Sequence, residues 1–291
     1  MKYTIGITTF VHRFDKYFKP LIKQIKTARP DLEVIVYINA QYGTGMDNKY
    51  RKDILNFISE YDNIYPITTP HFKGLSKMWN NIIVHSTNKN IFIFNDDISL
   101  DSEFFDQVDE VFTKTNISFR INNSFSHFHV NRDEVFEVGF FDERLIGLGE
   151  EDGDWCFRWE RKYQKNLLSM NTPSVKSFYY VKDEKNSEGM QKDSNHSKYT
   201  PWNAQWIFKN KYDPDNEELA LRQGFPANGR GGMYGKPVAM REDCIELDFY
   251  PAEKFFWEHI HELKENKYYE GKNMYSSNRK IGRYYYSTSN C

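Results

Sequence analysis

The chain has 291 residues, 41 acidic against 39 basic side chains and a net charge of −2. Charges of both signs are interspersed, so there is no basic face and a dedicated nucleic-acid binder is excluded. No stretch approaches the roughly 18 continuous apolar residues of a membrane-spanning helix, and an aromatic share of 17% points to a ring-rich core and binding groove.

Met1 to Ile7 is a shorter apolar run than the roughly 7–15 residues of a secretory signal, which leads us to expect a cytosolic chain. Tyr3 to Thr9 reads as a first strand. Tyr17 to Ala28 has Phe18, Leu21, Ile22 and Ile25 at helical spacing and stops at Pro30. Glu33 to Ile38 is β-branched and short, which predicts a buried strand. A helix over Tyr50 to Tyr61, a weaker strand over Asn63 to Thr68, a helix over Leu75 to His85 and a strand over Ile91 to Phe94 follow. This alternation predicts an α/β fold, a mostly parallel sheet with helices on both faces. The ligands of such sheets lie beyond the carboxyl ends of the strands.

Further along, Phe104 to Thr115 reads as a helix and Ile117 to Ile121 as a strand. Asp152 to Lys162 reads as a helix with acids at its start and bases at its end, as the macrodipole favours. Beyond about Lys182 the text is polar and loop-like. Gly224 to Pro237 is glycine-rich, Ala252 to Lys264 is helical in spacing, and Tyr268 to Cys291 reads as an irregular tail. Cys156, Cys244 and Cys291 have no CxxC spacing and are expected as reduced thiols without structural zinc.

Two acidic motifs stand out. Asn95-Asp96-Asp97 follows the apolar run Ile91 to Phe94, where a buried carboxylate needs a positive partner. A hard divalent cation carrying phosphate is one such partner, and a turn after the strand is the structural alternative. Glu151-Asp152-Gly153-Asp154 precedes Trp155 and opens a helix. Its acids either complement the helix dipole or supply a general base. Arg13, Lys73 and Lys77, near strand-to-helix turns, are suited to a diphosphate, and Gly229-Arg230-Gly231-Gly232 to a lid over the same charge. Trp155, Trp202 and Trp206 are suited either to the apolar face of a sugar ring or to core filling, with Trp155 the favoured acceptor contact. His196 is a candidate metal ligand in a polar loop, while His127 and His129 share one face of a strand-like stretch.

In order, Thr8-Thr9 after strand one, Gly74 with Asn80 six residues on, Asn95-Asp96-Asp97 and Gly149-Glu150-Glu151-Asp152 resemble a family 2 glycosyltransferase of the GT-A fold, over about Lys2 to Thr200. The resemblance implies a Rossmann-like, mostly parallel central sheet flanked by helices. A transferase domain would span residues 1–205, and an irregular helical and aromatic extension would span residues 206–291. It implies Asp97 as the ligand of Mn²⁺ or Mg²⁺, with His196 completing the metal site. A nucleotide-sugar site would contain Thr8, Thr9, Asn39, Gly74, Asn80, Asn95 and Asp96 beside Arg13, Lys73 and Lys77. Asp152 would be the catalytic base, with Glu151 beside it, and Trp155 and Trp202 would meet the acceptor. Asn39 stands where the family usually has an aspartate that reads the base, and Trp79 where it has a basic residue.

The expected activity is metal-dependent, inverting transfer of a sugar, a hexose above all, from a nucleotide diphosphate sugar such as a UDP-sugar to a hydroxyl of a glycan or glycolipid. This suits polysaccharide biosynthesis by a cytoplasmic enzyme, with peripheral membrane attachment and homo-oligomer formation both compatible. The rivals are a retaining transferase of the same fold, a nucleotidyltransferase, and a non-catalytic nucleotide- or glycan-binding protein. The glycine-rich, basic N-terminal signature of a nucleotidyltransferase is absent.

Overall fold

The computed structural model describes residues 2–41, 45–145, 151–178, 211–213, 216–222 and 239–240. The chain divides into two compact units. The first comprises Met1–Lys73, Lys77–Phe136 and Leu168–Asn195, and the second Gly74–Ser76, Glu137–Leu167 and His196–Cys291. The domain boundary expected near residue 205 lies outside the described residues, as do the glycine-rich stretch, the Ala252 to Lys264 helix and the tail.

The first unit is built on a 7-stranded sheet. Its strands are β1 (Thr4–Thr9), β2 (Glu33–Ile38), β3 (Ile64–Thr68), β4 (Asn90–Asn95), β6 (Phe119–Ile121), β7 (Ser124–Asn131) and β8 (Leu168–Met170), in spatial order β3-β2-β1-β4-β7-β6-β8. The first four are mutually parallel, β7 runs antiparallel to both β4 and β6, and β8 is parallel to β6. β5 (Ile98–Leu100) pairs with β9 (Val175–Ser177) in a separate ribbon. No helix among the described residues is long and apolar enough to cross a membrane.

Apolar runs with period 2 or 3.6 explain the layers. Ile5, Ile7, Val34, Val36, Ile38, Phe92 and Phe94 point to one face. They pack there with α1 (Lys19–Ala28), α2 (Asn48–Ile58) and α4 (Glu103–Lys114) through Leu21, Ile22, Ile25, Ile54, Phe57, Phe104 and Val108. Each such side chain, fully buried, contributes about 1.5–3 kcal/mol. α3 (Leu75–His85) takes the opposite face. There Gly6 lets it approach so closely that an added Cβ would lie 2.1 Å from Ile82 Cγ2, and Trp79 meets Phe128 edge-on. Asp47 caps α2 by accepting the Tyr50 amide at 2.9 Å. The Lys26 ammonium closes α1 by donating to the carbonyls of Pro30 and Leu32.

Within the second unit lie α6 (Glu151–Tyr163), the end of α5 (Arg132–Val138), β10 (Tyr212–Asp213) paired antiparallel with β11 (Ala239–Met240), and α7 (Glu217–Arg222).

Candidate active-site residues

In the order β3-β2-β1-β4, the chain leaves β1 toward β2 on one side, while β4 lies on the other. This is a topological switch point, where the loops beyond the strand ends diverge and leave a crevice. The parallel register pairs Thr8 with Asn95, so Thr9 and Asp96 come side by side at the carboxyl ends of β1 and β4. The Thr9 hydroxyl donates to Asp96 Oδ2 at 2.7 Å, and Arg13 Nη1 donates to Asp96 Oδ1 at 2.8 Å. The same Nη1 lies 3.2 Å from Asp97 Oδ2. Burial pushes the Asp96 carboxyl up to about 6 against the lowering effect of Arg13, while the two carboxylates raise the Arg13 guanidinium against its own burial.

Asp97 is 4% exposed, and its backbone oxygen accepts the Phe178 amide at 2.9 Å. Its Oδ1 is buried and has no hydrogen-bond partner. An acceptor oxygen left in this way fits a hard cation, which prefers carboxylate oxygen and keeps water and phosphate as its other ligands. Among the described residues no group of three or more His, Cys, Asp or Glu side chains is placed to hold a metal ion. His196 lies outside the described residues.

The Asn39 side chain brackets the backbone of one residue: Nδ2 donates to the Lys73 carbonyl at 2.8 Å, and Oδ1 accepts the Lys73 amide at 2.9 Å. At the position where the resembled family reads a base, this carboxamide therefore fixes the segment that leads into α3. Lys73, Gly74 and Lys77 are half-buried and Asn80 is fully buried. His127 and His129 line one face of β7, opposite Phe94 and Phe92. His129 packs on Phe119 and its Nδ1–H donates to the Ile117 carbonyl at 3.1 Å, whereas neither nitrogen of His127 has a hydrogen-bond partner.

In the second unit, the three acids expected at the start of a helix, Glu151, Asp152 and Asp154, do form the first turn of α6, but they divide by environment. Asp152 is half-buried and its Oδ1 accepts the Gly153 amide at 2.8 Å. Glu151 is 4% exposed. Asp154 has no exposed surface and accepts from Arg158 Nε at 3.1 Å, Arg158 Nη2 at 3.0 Å, the Tyr212 hydroxyl at 2.7 Å and the Lys211 ammonium. Burial alone would raise its pKa, but Lys211 and Arg158 outweigh burial and hold it below the usual carboxylate range. Lys211 also reaches Asp142 Oδ2 at 3.1 Å, and Arg158 donates to the carbonyls of Val138, Gly139 and Phe140.

One expectation is corrected here. Trp155 is fully buried, donates its indole N–H to the Gly139 carbonyl at 3.0 Å and stacks on Phe141. It is a core residue and offers no face to an acceptor. Trp202 lies outside the described residues. The sequence reading did not anticipate Lys211, Tyr212 and Asp142. The spacing of Asp154 and Arg158, four apart on a helix, was a usable signal.

No protein-family model matches the sequence, and no curated protein does. Solved structures do match. The chain is similar to GalNAc-T7, solved with UDP, GalNAc and Mn²⁺, at TM-score 0.52 and 9% identity, over 77% of this chain and 52% of that one. It is also similar to S. aureus TarS at TM-score 0.47 and 12% identity, over 60% of this chain and 36% of that one. A third match is the mannosyltransferase PcManGT from Pyrobaculum calidifontis, solved with GDP-Man and Mn²⁺, at TM-score 0.44 and 10% identity, over 59% and 55%. The chain thus spans between about a third and just over half of the length of these proteins. The likeness to GalNAc-T7 is one of fold, and it bears out the α/β architecture of GT-A type, with a mostly parallel central sheet between helices.

Proposed function

We propose that this chain is a nucleotide-sugar glycosyltransferase, of family 2 by the order of its motifs, that moves a sugar with inversion from a UDP- or related nucleotide diphosphate sugar to a hydroxyl of a glycan or glycolipid. The observation that carries the reading is Asp97. Its carboxylate stands at the switch point of a mostly parallel sheet, buried, with one oxygen lacking any donor. In this reading Asp97 holds Mn²⁺ or Mg²⁺, which when bound neutralises charge gathering on the leaving diphosphate. Thr8 and Asn95, paired across β1 and β4, flank the nucleotide.

Asp152 is the proposed base. The order of the motifs supports this choice, with Glu151 beside it, while Asp154 is engaged by Lys211, Arg158 and Tyr212. Asp152 accepts the acceptor hydroxyl proton as that oxygen bonds to the anomeric carbon. The bond to the diphosphate breaks on the opposite face and the leaving group keeps the electron pair. One displacement inverts the configuration, and no covalent enzyme intermediate forms. A cytosolic enzyme working at a membrane surface, on a lipid-linked acceptor in polysaccharide assembly, is consistent with this chemistry.

The test is turnover of UDP- and GDP-sugars by purified Asp97→Ala and Asp152→Asn with and without Mn²⁺. Asp152→Asn should lose about 10²–10⁴-fold in rate, and Asp97→Ala should lose its response to Mn²⁺. Full activity in either variant removes the role assigned to that residue, and retention of anomeric configuration in the product removes the inverting step.

A further inference from the structure

Arg13 touches both carboxylates of the strand-end motif through a single nitrogen, at 2.8 Å from Asp96 and 3.2 Å from Asp97. The two acids are 0% and 4% exposed, and two negative charges buried side by side require a positive one. Among the described residues no other base contacts either acid. The pairing is nevertheless incomplete on both sides. Asp97 Oδ1 and Arg13 Nε are buried, and neither has a hydrogen-bond partner. At Arg13 (φ −101°, ψ −8°) a 3-10 turn (Val11–Arg13) passes into a π-turn (Phe14–Phe18). Such turns recur at functional sites, and a purely structural ion pair needs neither the irregular backbone nor the spare donor.

A divalent cation on Asp97 would share that carboxylate with a guanidinium of the same sign, and the two oppose one another. A nucleotide diphosphate offers Arg13 an alternative, since guanidinium forks match phosphate oxygens. Resting on the reading of Asp97 as a cation ligand, we propose that Arg13 is a two-position counter-charge. It holds Asp96 and Asp97 in the unliganded protein and turns to the diphosphate when nucleotide and cation bind. Each ligand then favours the other by the same factor. The nucleotide draws Arg13 off the carboxylates, and the cation frees Arg13 for the phosphates.

The experiment measures Mn²⁺ binding by loss of the free-ion electron paramagnetic resonance signal, with no turnover, in the full chain with and without UDP or GDP. Arg13→Gln should bind Mn²⁺ without nucleotide about tenfold more tightly than the wild type, a change of about 1.4 kcal/mol. It should also gain less from added nucleotide. Arg13→Lys, a point charge without a fork, should fall between the two. Equal or weaker Mn²⁺ affinity in Arg13→Gln overturns the proposal. Should that variant fail to fold, a nucleotide-induced gain in Arg13→Lys equal to the wild type's overturns it instead. Asp97→Ala separates the two layers of the argument. If it leaves Mn²⁺ binding unchanged, the reading of Asp97 fails and the proposal with it. If it abolishes binding while Arg13→Gln behaves as wild type, the proposal alone fails.

Discussion

Lys211 has no solvent-exposed surface, and its ammonium is divided between Asp154 and Asp142. Removing one partner from such a group strands the other without compensation, which costs about 3–5 kcal/mol. Lys211→Met should therefore lower stability by about that amount in urea unfolding, while Lys211→Arg should recover part of it. The two histidines of β7 set a second expectation. Burial lowers the pKa of His127 to about 4, and it lowers that of His129 to about 3 against the opposing bond to Ile117. The unfolded chain, with histidines near 6.5, binds protons that the folded chain refuses below that pH. Stability is therefore full above about 6.5 and declines as the pH falls toward 4, by on the order of 3 kcal/mol for His127. Asp96 works the other way: its carboxyl, raised to about 6, favours the folded state as the pH drops from 6 toward 4 and offsets part of the loss. The urea midpoint should fall on acidification from pH 6.5, and less so in His127→Leu. None of these roles could be read from residue type alone. A lysine is solvated by default, and only the fold brings Lys211 to an aspartate 57 residues away.

The elements written as unbroken apolar or periodic runs emerge where the sequence placed them. Glu33 to Ile38 and Leu75 to His85 match β2 and α3 end to end, because β-branching and a 3.6-residue period each leave one solution. β5, β8 and β9 have three residues each, too few to show a period. β7 begins with the polar Ser124-Phe125-Ser126, and only its middle alternates. α5, with exposed Phe136 and buried Glu134, lacks a clean apolar stripe. At the junction of β1 with α3, the glycine itself decides the packing. Gly6→Ala sets a methyl 2.1 Å from Ile82 Cγ2, the stiff branch of a β-branched side chain, and should cost about 1–3 kcal/mol. The double variant with Ile82→Ala should lose less than the sum of the two single losses, because the residues share one space. Strict additivity in urea unfolding would show that the close approach is not what makes Gly6 necessary.

At the scale of the molecule, the fold class and the placing of the acidic motif at a strand end were legible, since both follow from strand order and from where apolar runs stop. The division of labour within the Glu151–Asp154 turn was not, because three acids in one turn look alike until their partners are known. If the proposed activity is correct, a nucleotide diphosphate with Mn²⁺ should raise the melting temperature by mass action, by about 2.7 kcal/mol of stability at a ligand concentration 100 times its Kd. A panel of UDP-, GDP- and dTDP-sugars would rank the donors. No shift with any of them, with Mn²⁺ present, would count against a nucleotide-sugar substrate.

The buried tether from β10 to α6 also governs how far the polypeptide can be shortened. A version stopping at residue 205 retains Asn95-Asp96-Asp97 and Glu151-Asp152, yet it deletes Lys211 and Tyr212 and leaves Asp154 facing Arg158 alone. Trimming to the region that looks catalytic should therefore yield insoluble material on expression, not a smaller working transferase.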